Sequence, residues 1–263
     1  SILDVECRRL RMDALRRELT SCLGQESESV TSSTAATLSA AAPDGTLLLR
    51  NVTLPGAVLL DSNLCKHLPS ADGEGNLLAD VLIMKGKINR IVSPGAGNNV
   101  AGPTVGLRAV DLARKMLWPC FCDPHAHLMK VHGCPRCPNP TGSITDAMAC
   151  EASDRPWSHE DLYRRANFAL RSAYHHGSRL VRTHLDGSED ERPEQRKAVW
   201  AVFDELRAAW EGKVQLQGVA NLYLPLWSVP ELAQMQIKET VARKPNVVLG
   251  AYCGCIRDRS LLP

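Results

Sequence analysis

WPCFCDPHAHLMKVHG, residues 118–133, is the stretch on which the reading of the fold turns. A β-prone run reaches Asp123 and Pro124 and then places His125 and His127 one residue apart. Residues i and i+2 of a strand project to the same face, so the two imidazoles are expected to converge on one point. Two neutral imidazoles at a strand end suit a divalent metal, bound at typically ~2.0–2.1 Å per nitrogen. The plainer reading is two surface histidines. In parallel α/β folds function gathers at the carboxyl ends of strands, so the surrounding pattern decides what the pair means.

Downstream the sequence alternates. Residues 158–177, SHEDLYRRANFALRSAYHHG, predict a helix with Ser158 as N-cap, Asp161 at the third helical position and Gly177 as the stop. SRLVRTHLD predicts a strand, PEQRKAVWAVFDELRAAWEG a helix ended by Gly212, and KVQLQGVANL a strand. VPELAQMQIKETVARKP then predicts a helix and NVVLGAYCG a strand. This β-α-β-α-β-α-β order implies a parallel sheet, doubly wound or closed into a barrel. The segment from Met129 to Trp157 is too long for an ordinary βα loop and lies where a lid or pocket wall would sit. The second strand ends in VRTHLD, where His184 and Asp186 repeat the i, i+2 arrangement. His184 could also simply form a hydrogen bond within the mouth of the sheet.

Upstream, residues 3–19 have the spacing of an amphipathic helix, read as solvated. Residues 24–44 are rich in Ser, Thr and Ala, too poor in large apolar groups to offset ordering entropy, and read as linker. From Gly45 strands begin: TLLLRNVTL, then Asp80–Met84 and Ile88–Val92 around a Lys-Gly-Lys turn, then an extended LRAVDLARKMLWPCF. A small β-sandwich over residues 45–117 is expected. The domain scheme is thus residues 1–44, helix and linker; 45–117, sandwich; and 118–263, parallel α/β.

Composition narrows the function. A net charge of +2 gives no electrostatic case for nucleic acid or an anionic membrane. Aromatics at 5% argue against base-stacking platforms, and no run of 18 apolar residues predicts a bilayer span. The ten cysteines do not look like a secreted disulfide framework in a chain of this length. Most are read as thiols, in a cytoplasmic protein. A structural zinc site using Cys134 and Cys137 with Cys120, Cys122, Cys253 and Cys255 is a competing reading, though Cys120 and Cys122 are expected to pack in the core.

CFCDPHAHL, LVRTHLD and the alternation between and beyond them resemble the amidohydrolase superfamily, in its cytosine deaminase-like branch. The resemblance runs from about Leu47 to the end of the chain. It implies a (β/α)8 TIM barrel preceded by a small β-sandwich, with about four barrel strands in these residues. It makes His125 and His127 ligands of a catalytic zinc or iron ion, with His184 and Asp186 beside them. HLMKVHGCPRCPNPTGSITDAM resembles the HLDKGH…PNP segment of the family, with Met129 where an aspartate is usual, so a carboxylate beside the ligands is missing. The family's cytosine-reading glutamine aligns with Leu222 or Tyr223, and Tyr223 is the candidate substrate contact.

The implied activity is hydrolytic deamination of a cytosine-like or related nitrogen heterocycle by metal-activated water. The implied partners are that small substrate and another copy in a homo-oligomer. The family's third histidine, its glutamate proton shuttle, its fourth histidine and its aspartate belong to strands five to eight, which these residues do not reach. The catalytic proton shuttle is therefore expected outside this chain, and the chain by itself is expected to be inactive. The alternative function is an inactive remnant or interaction protein that keeps the fold.

Overall fold

The computed structural model describes residues 46–59, 66–97 and 108–252. The helix expected over 3–19, the linker over 24–44, and Cys253 and Cys255 lie outside the described residues. The chain divides into two compact units, Ser1–Pro119 and Cys120–Pro263.

The first unit holds β1 (Thr46–Pro55), β2 (Asn76–Met84), β3 (Lys87–Val92) and β4 (Arg108–Asp111) in one sheet of order β3-β2-β1-β4. Among the described residues this is a single sheet; the facing sheet that the expected sandwich requires is not among them. β1 pairs antiparallel with β2 and parallel with β4. Its run LLLRNVTL is not a simple alternation, because a bulge between Leu49 and Val52 shifts the register. Leu47 and Leu49 before it, and Val52 and Leu54 after it, therefore reach the same core with Ala79 and Val81. Asn51 takes φ 52° at the bulge. Its N–H donates to Oδ1 of the buried Asp80 at 3.0 Å, while Oδ2 accepts from the Gly95 N–H at 2.9 Å. The β2–β3 turn has φ 51° at Lys85 and 71° at Gly86, both positive as a tight type I′ hairpin demands.

The second unit contains β5 (Phe121–Ala126), α1 (Ile144–Asp154), α2 (His159–His175), β6 (Ser178–His184), α3 (Pro193–Ala209), β7 (Gln215–Tyr223), α4 (Pro230–Ala242) and β8 (Val247–Tyr252). Its sheet runs β5-β6-β7-β8, and every pair is parallel. Ser158 caps α2 as expected, its Oγ accepting from the Asp161 N–H at 3.2 Å. Alternate residues of β6 and β7, including Val181, Leu216 and Ala220, share a core with Leu162, Ala166 and Leu170 of α2 and Val199, Phe203 and Leu206 of α3. The opposite parity carries His184 on β6 and Asn221 on β7. The packing that buries one face thereby aims the other face's polar residues together.

The segment expected as a long lid contains a helix, α1. Its N-cap is Ser143, whose Oγ accepts from the Asp146 N–H at 3.0 Å. Ser-x-x-Asp before this stretch was the sequence signal for it. α1 buries no residue fully, so it lacks the apolar stripe by which the other helices were recognised.

Candidate metal centre

β5 carries Asp123 and His125 on one face and ends at Ala126; His127 follows with φ −129° and ψ 70°. The next residues turn into a 3₁₀ segment, Leu128–Lys130, tied down from three sides. The Leu128 N–H donates to Thr183 Oγ1 at 3.0 Å. The buried Arg165 of α2 donates to the carbonyls of Met129 and Val131, both at 2.9 Å. Met129 itself is fully buried in the core. Asp186 supplies a carboxylate beside the histidines.

The structure brings His125, His127 and His184 together. Their ring nitrogens lie within 4.8 Å of one another, a grouping that could hold a metal ion. Nε2 of His125 is 3.1 Å from Nε2 of His127. The His184 ring centroid lies 4.3 Å from that of His125 and 4.7 Å from that of His127. Two nitrogens each ~2.0–2.1 Å from one ion, spanning a right to tetrahedral angle, would be ~2.9–3.4 Å apart. The His125–His127 separation fits that geometry.

Behind the pair lies a chain of charge. Both carboxylate oxygens of Asp186 meet Nδ1 of His127, at 2.9 and 3.1 Å. Lys130 Nζ lies 3.2 Å from Asp186 and 3.4 Å from Glu151 of α1. Burial acts to raise the Asp186 carboxyl, but the hydrogen bond from His127 and the charge of Lys130 outweigh it, and the group is held below its usual range. Burial likewise acts to lower Lys130, and the charges of Asp186 and Glu151 outweigh it and raise it. A carboxylate accepting the Nδ1–H of His127 leaves Nε2 with its lone pair, the tautomer a metal ligand requires. At His184 burial dominates and lowers the imidazole, and the neighbouring histidines act in the same direction. That favours a neutral ring. Burial pushes the nearby Glu189 carboxyl up to about 7, although Arg155 lies close by.

Tyr223, the candidate substrate contact, has Tyr252 as its ring partner, centroids 5.5 Å apart. Cys137 pairs with Cys150 of α1 in a disulfide, Cα atoms 5.7 Å apart, so the six-cysteine zinc grouping is not formed, and Cys134 stays free and exposed. Cys120 and Cys122, expected in the core, are exposed. β5 is the edge strand of the described sheet. Sequence reasoning missed Lys130, Glu151, Asn221 and the buried Gln236, whose Nε2 donates to the Asn221 carbonyl at 3.0 Å. Only Asn221, at the carboxyl end of a strand, carried a positional signal.

No family model matches the chain. A pterin deaminase of Rhizobium rhizogenes is 34% identical over 205 residues, covering 77% of this chain and 43% of that protein. The 5-methylcytosine deaminase of Klebsiella pneumoniae liganded with 5-fluorocytosine superposes with a TM-score of 0.52 at 16% identity, covering 80% of this chain and 52% of that one. The same enzyme liganded with phosphonocytosine gives 0.51 at 18% identity, over 75% of this chain and 41% of that one. The chain is thus similar to a pterin deaminase, of which it spans less than half, and shares its fold with part of a 5-methylcytosine deaminase.

Proposed function

We propose that this chain carries the metal-binding strand ends of an amidohydrolase that hydrolytically deaminates a fused or single nitrogen heterocycle, with a pterin-like ring the first candidate. The observation that carries this reading is the convergence of His125 and His127 Nε2 at 3.1 Å with Asp186 on the far nitrogen of His127. The sequential, all-parallel order of β5 to β8 supports a (β/α)8 barrel over a doubly wound sheet, whose strand order reverses at a switch point.

His125 and His127 would hold a divalent ion, zinc or iron, through Nε2. When bound, such an ion supplies activated water at neutral pH. Asp186 fixes the tautomer and aim of His127. Lys130 neutralises Asp186 and links it to Glu151 on α1, so that helix helps set the ligand's position. In the overall reaction water adds at the amino-bearing carbon of the ring and ammonia leaves.

The exposed thiols of Cys120, Cys122 and Cys134 accord with a reducing, cytoplasmic setting, in which the Cys137–Cys150 bond would be the exception. No helix among the described residues is long and apolar enough to cross a membrane. A homo-oligomer belongs to the same proposal.

Titration calorimetry with zinc tests the site. One ion per chain is expected to bind the wild type, and His127→Ala is expected to lose it. Binding that is equal in the two proteins overturns the reading. Pterin and cytosine, titrated into the zinc-loaded chain, then rank the two ring classes.

A further inference from the structure

The third imidazole of the cluster is held differently from the first two. His127 meets a carboxylate at Nδ1. A carboxylate can only accept there, so the proton sits on Nδ1 and the Nε2 lone pair faces the cluster. His184 instead meets the side-chain amide nitrogen of Asn221, 2.5 Å from its Nδ1. An amide N–H can only donate, so Nδ1 of His184 is the lone-pair nitrogen, and a neutral ring carries its proton on Nε2. Asn221 is itself constrained. It is buried, and its backbone carbonyl accepts from Gln236, a fully buried residue of α4. Its side chain lies against Gly250 on β8: a Cβ at that position would collide with Asn221 Oδ1 and Val219 Cγ1. A glycine inside a strand marks such a close approach. The arrangement needs Gly250 for space, Gln236 for the backbone and Asn221 for the donor.

We propose that Asn221 is a positioning residue that holds His184 as a hydrogen-bond donor at Nε2, so that His184 faces the centre as a reader of a ligand's acceptor atom and not as a third metal ligand. The acceptor is a carbonyl oxygen or an unprotonated ring nitrogen, the atoms that a heterocycle with an amidine or lactam edge presents. The role assigned to the ligand rests on the deaminase reading above; the tautomer does not.

The test begins with the protein free of metal. Long-range ¹H–¹⁵N correlation spectra of the full chain, assigned with His184→Gln and His127→Gln, report which nitrogen of each ring is protonated. The expected result is opposite tautomers, Nε2–H on His184 and Nδ1–H on His127. A proton on Nδ1 of His184 means that the amide faces it with its oxygen, and overturns the proposal. Asn221→Asp replaces the donor by an acceptor and is expected to move the His184 proton to Nδ1; a spectrum unchanged from wild type also overturns it. Zinc titration gives the second readout. His184→Gln should leave the zinc Kd within about threefold, whereas losing even the orienting partner of a ligand costs about tenfold to a hundredfold. A loss in His184→Gln as large as in His127→Ala makes His184 a ligand and the proposal wrong. If zinc does not bind even the wild type while the tautomers are as expected, the metal reading fails and the placement of His184 by Asn221 stands.

Discussion

Two buried aspartates, one in each unit, show how the same side chain serves two ends. Asp80 sits in the antiparallel part of the first sheet and accepts two backbone N–H groups, from Asn51 at the bulge and from Gly95. Its partners are main-chain donors that the bulge and turn would otherwise leave unpaired, so its work is to keep the register of β1. Asp186 sits just past the end of a parallel strand and meets two side chains, His127 and Lys130. Its partners are themselves functional groups, and its work is to orient them. The difference follows from topology. Antiparallel strands joined by short turns spend buried polar groups on closing the backbone. Parallel strands joined through helices collect free ends on one side, where side chains from distant segments meet.

The contrast predicts separable effects. Asp80→Ala leaves two backbone donors unsatisfied and should cost about 2–4 kcal/mol. Chemical denaturation should show that loss with the zinc Kd unchanged; a weakened Kd would mean that the two aspartates are not independent.

Glu189 gives the next largest effect. Its carboxyl is pushed up to about 7 by burial from an ordinary value near 4.5 in the unfolded chain. Below about pH 4.5 both states hold the proton, and between that value and about 7 only the folded state does. Folding stability therefore falls as pH rises through this window and levels off above it. Glu189→Gln should remove the fall and gain up to roughly 3 kcal/mol at pH 8, measured as the difference between melting curves at pH 4.5 and pH 8. A wild type whose stability rises across that window relative to the glutamine variant would refute this.

Asp186→Asn tests the other aspartate. It keeps the shape but lets the amide present a donor to His127, and should weaken zinc by about 10–100-fold, or roughly 1.4–2.7 kcal/mol. The comparison breaks if Asp186→Asn instead lowers stability as much as Asp80→Ala and spares zinc. The smallest effect is at the α2 N-terminus. Ser158→Ala removes the cap from the Asp161 N–H and should cost about 1 kcal/mol, read from the melting temperature.

What the sequence determined by itself was whatever local pattern can carry. Period-two and period-3.6 spacing, with Ser158 and Gly177 as punctuation, gave the order of strands and helices in the second unit. The i, i+2 spacing put His125 and His127 on one side, and the strand-end motif drew His184 and Asp186 toward them. Tertiary structure decided the remainder, because it depends on which segments become neighbours. β1's bulge shifts its register, and Asp80, which accepts from the Asn51 N–H there, lies 29 residues away in sequence. α1 was hidden because it buries no residue fully, leaving too weak an apolar periodicity to read. Lys130 and Glu151 were unreadable because their partners come from distant segments, and Asn221 showed only its place near a strand end. A lysine, a glutamate and an asparagine are ordinary surface residues until packing removes water and sets each against a charged or ring partner. Only then do burial and short distance make those contacts decide which nitrogen of each imidazole faces the centre.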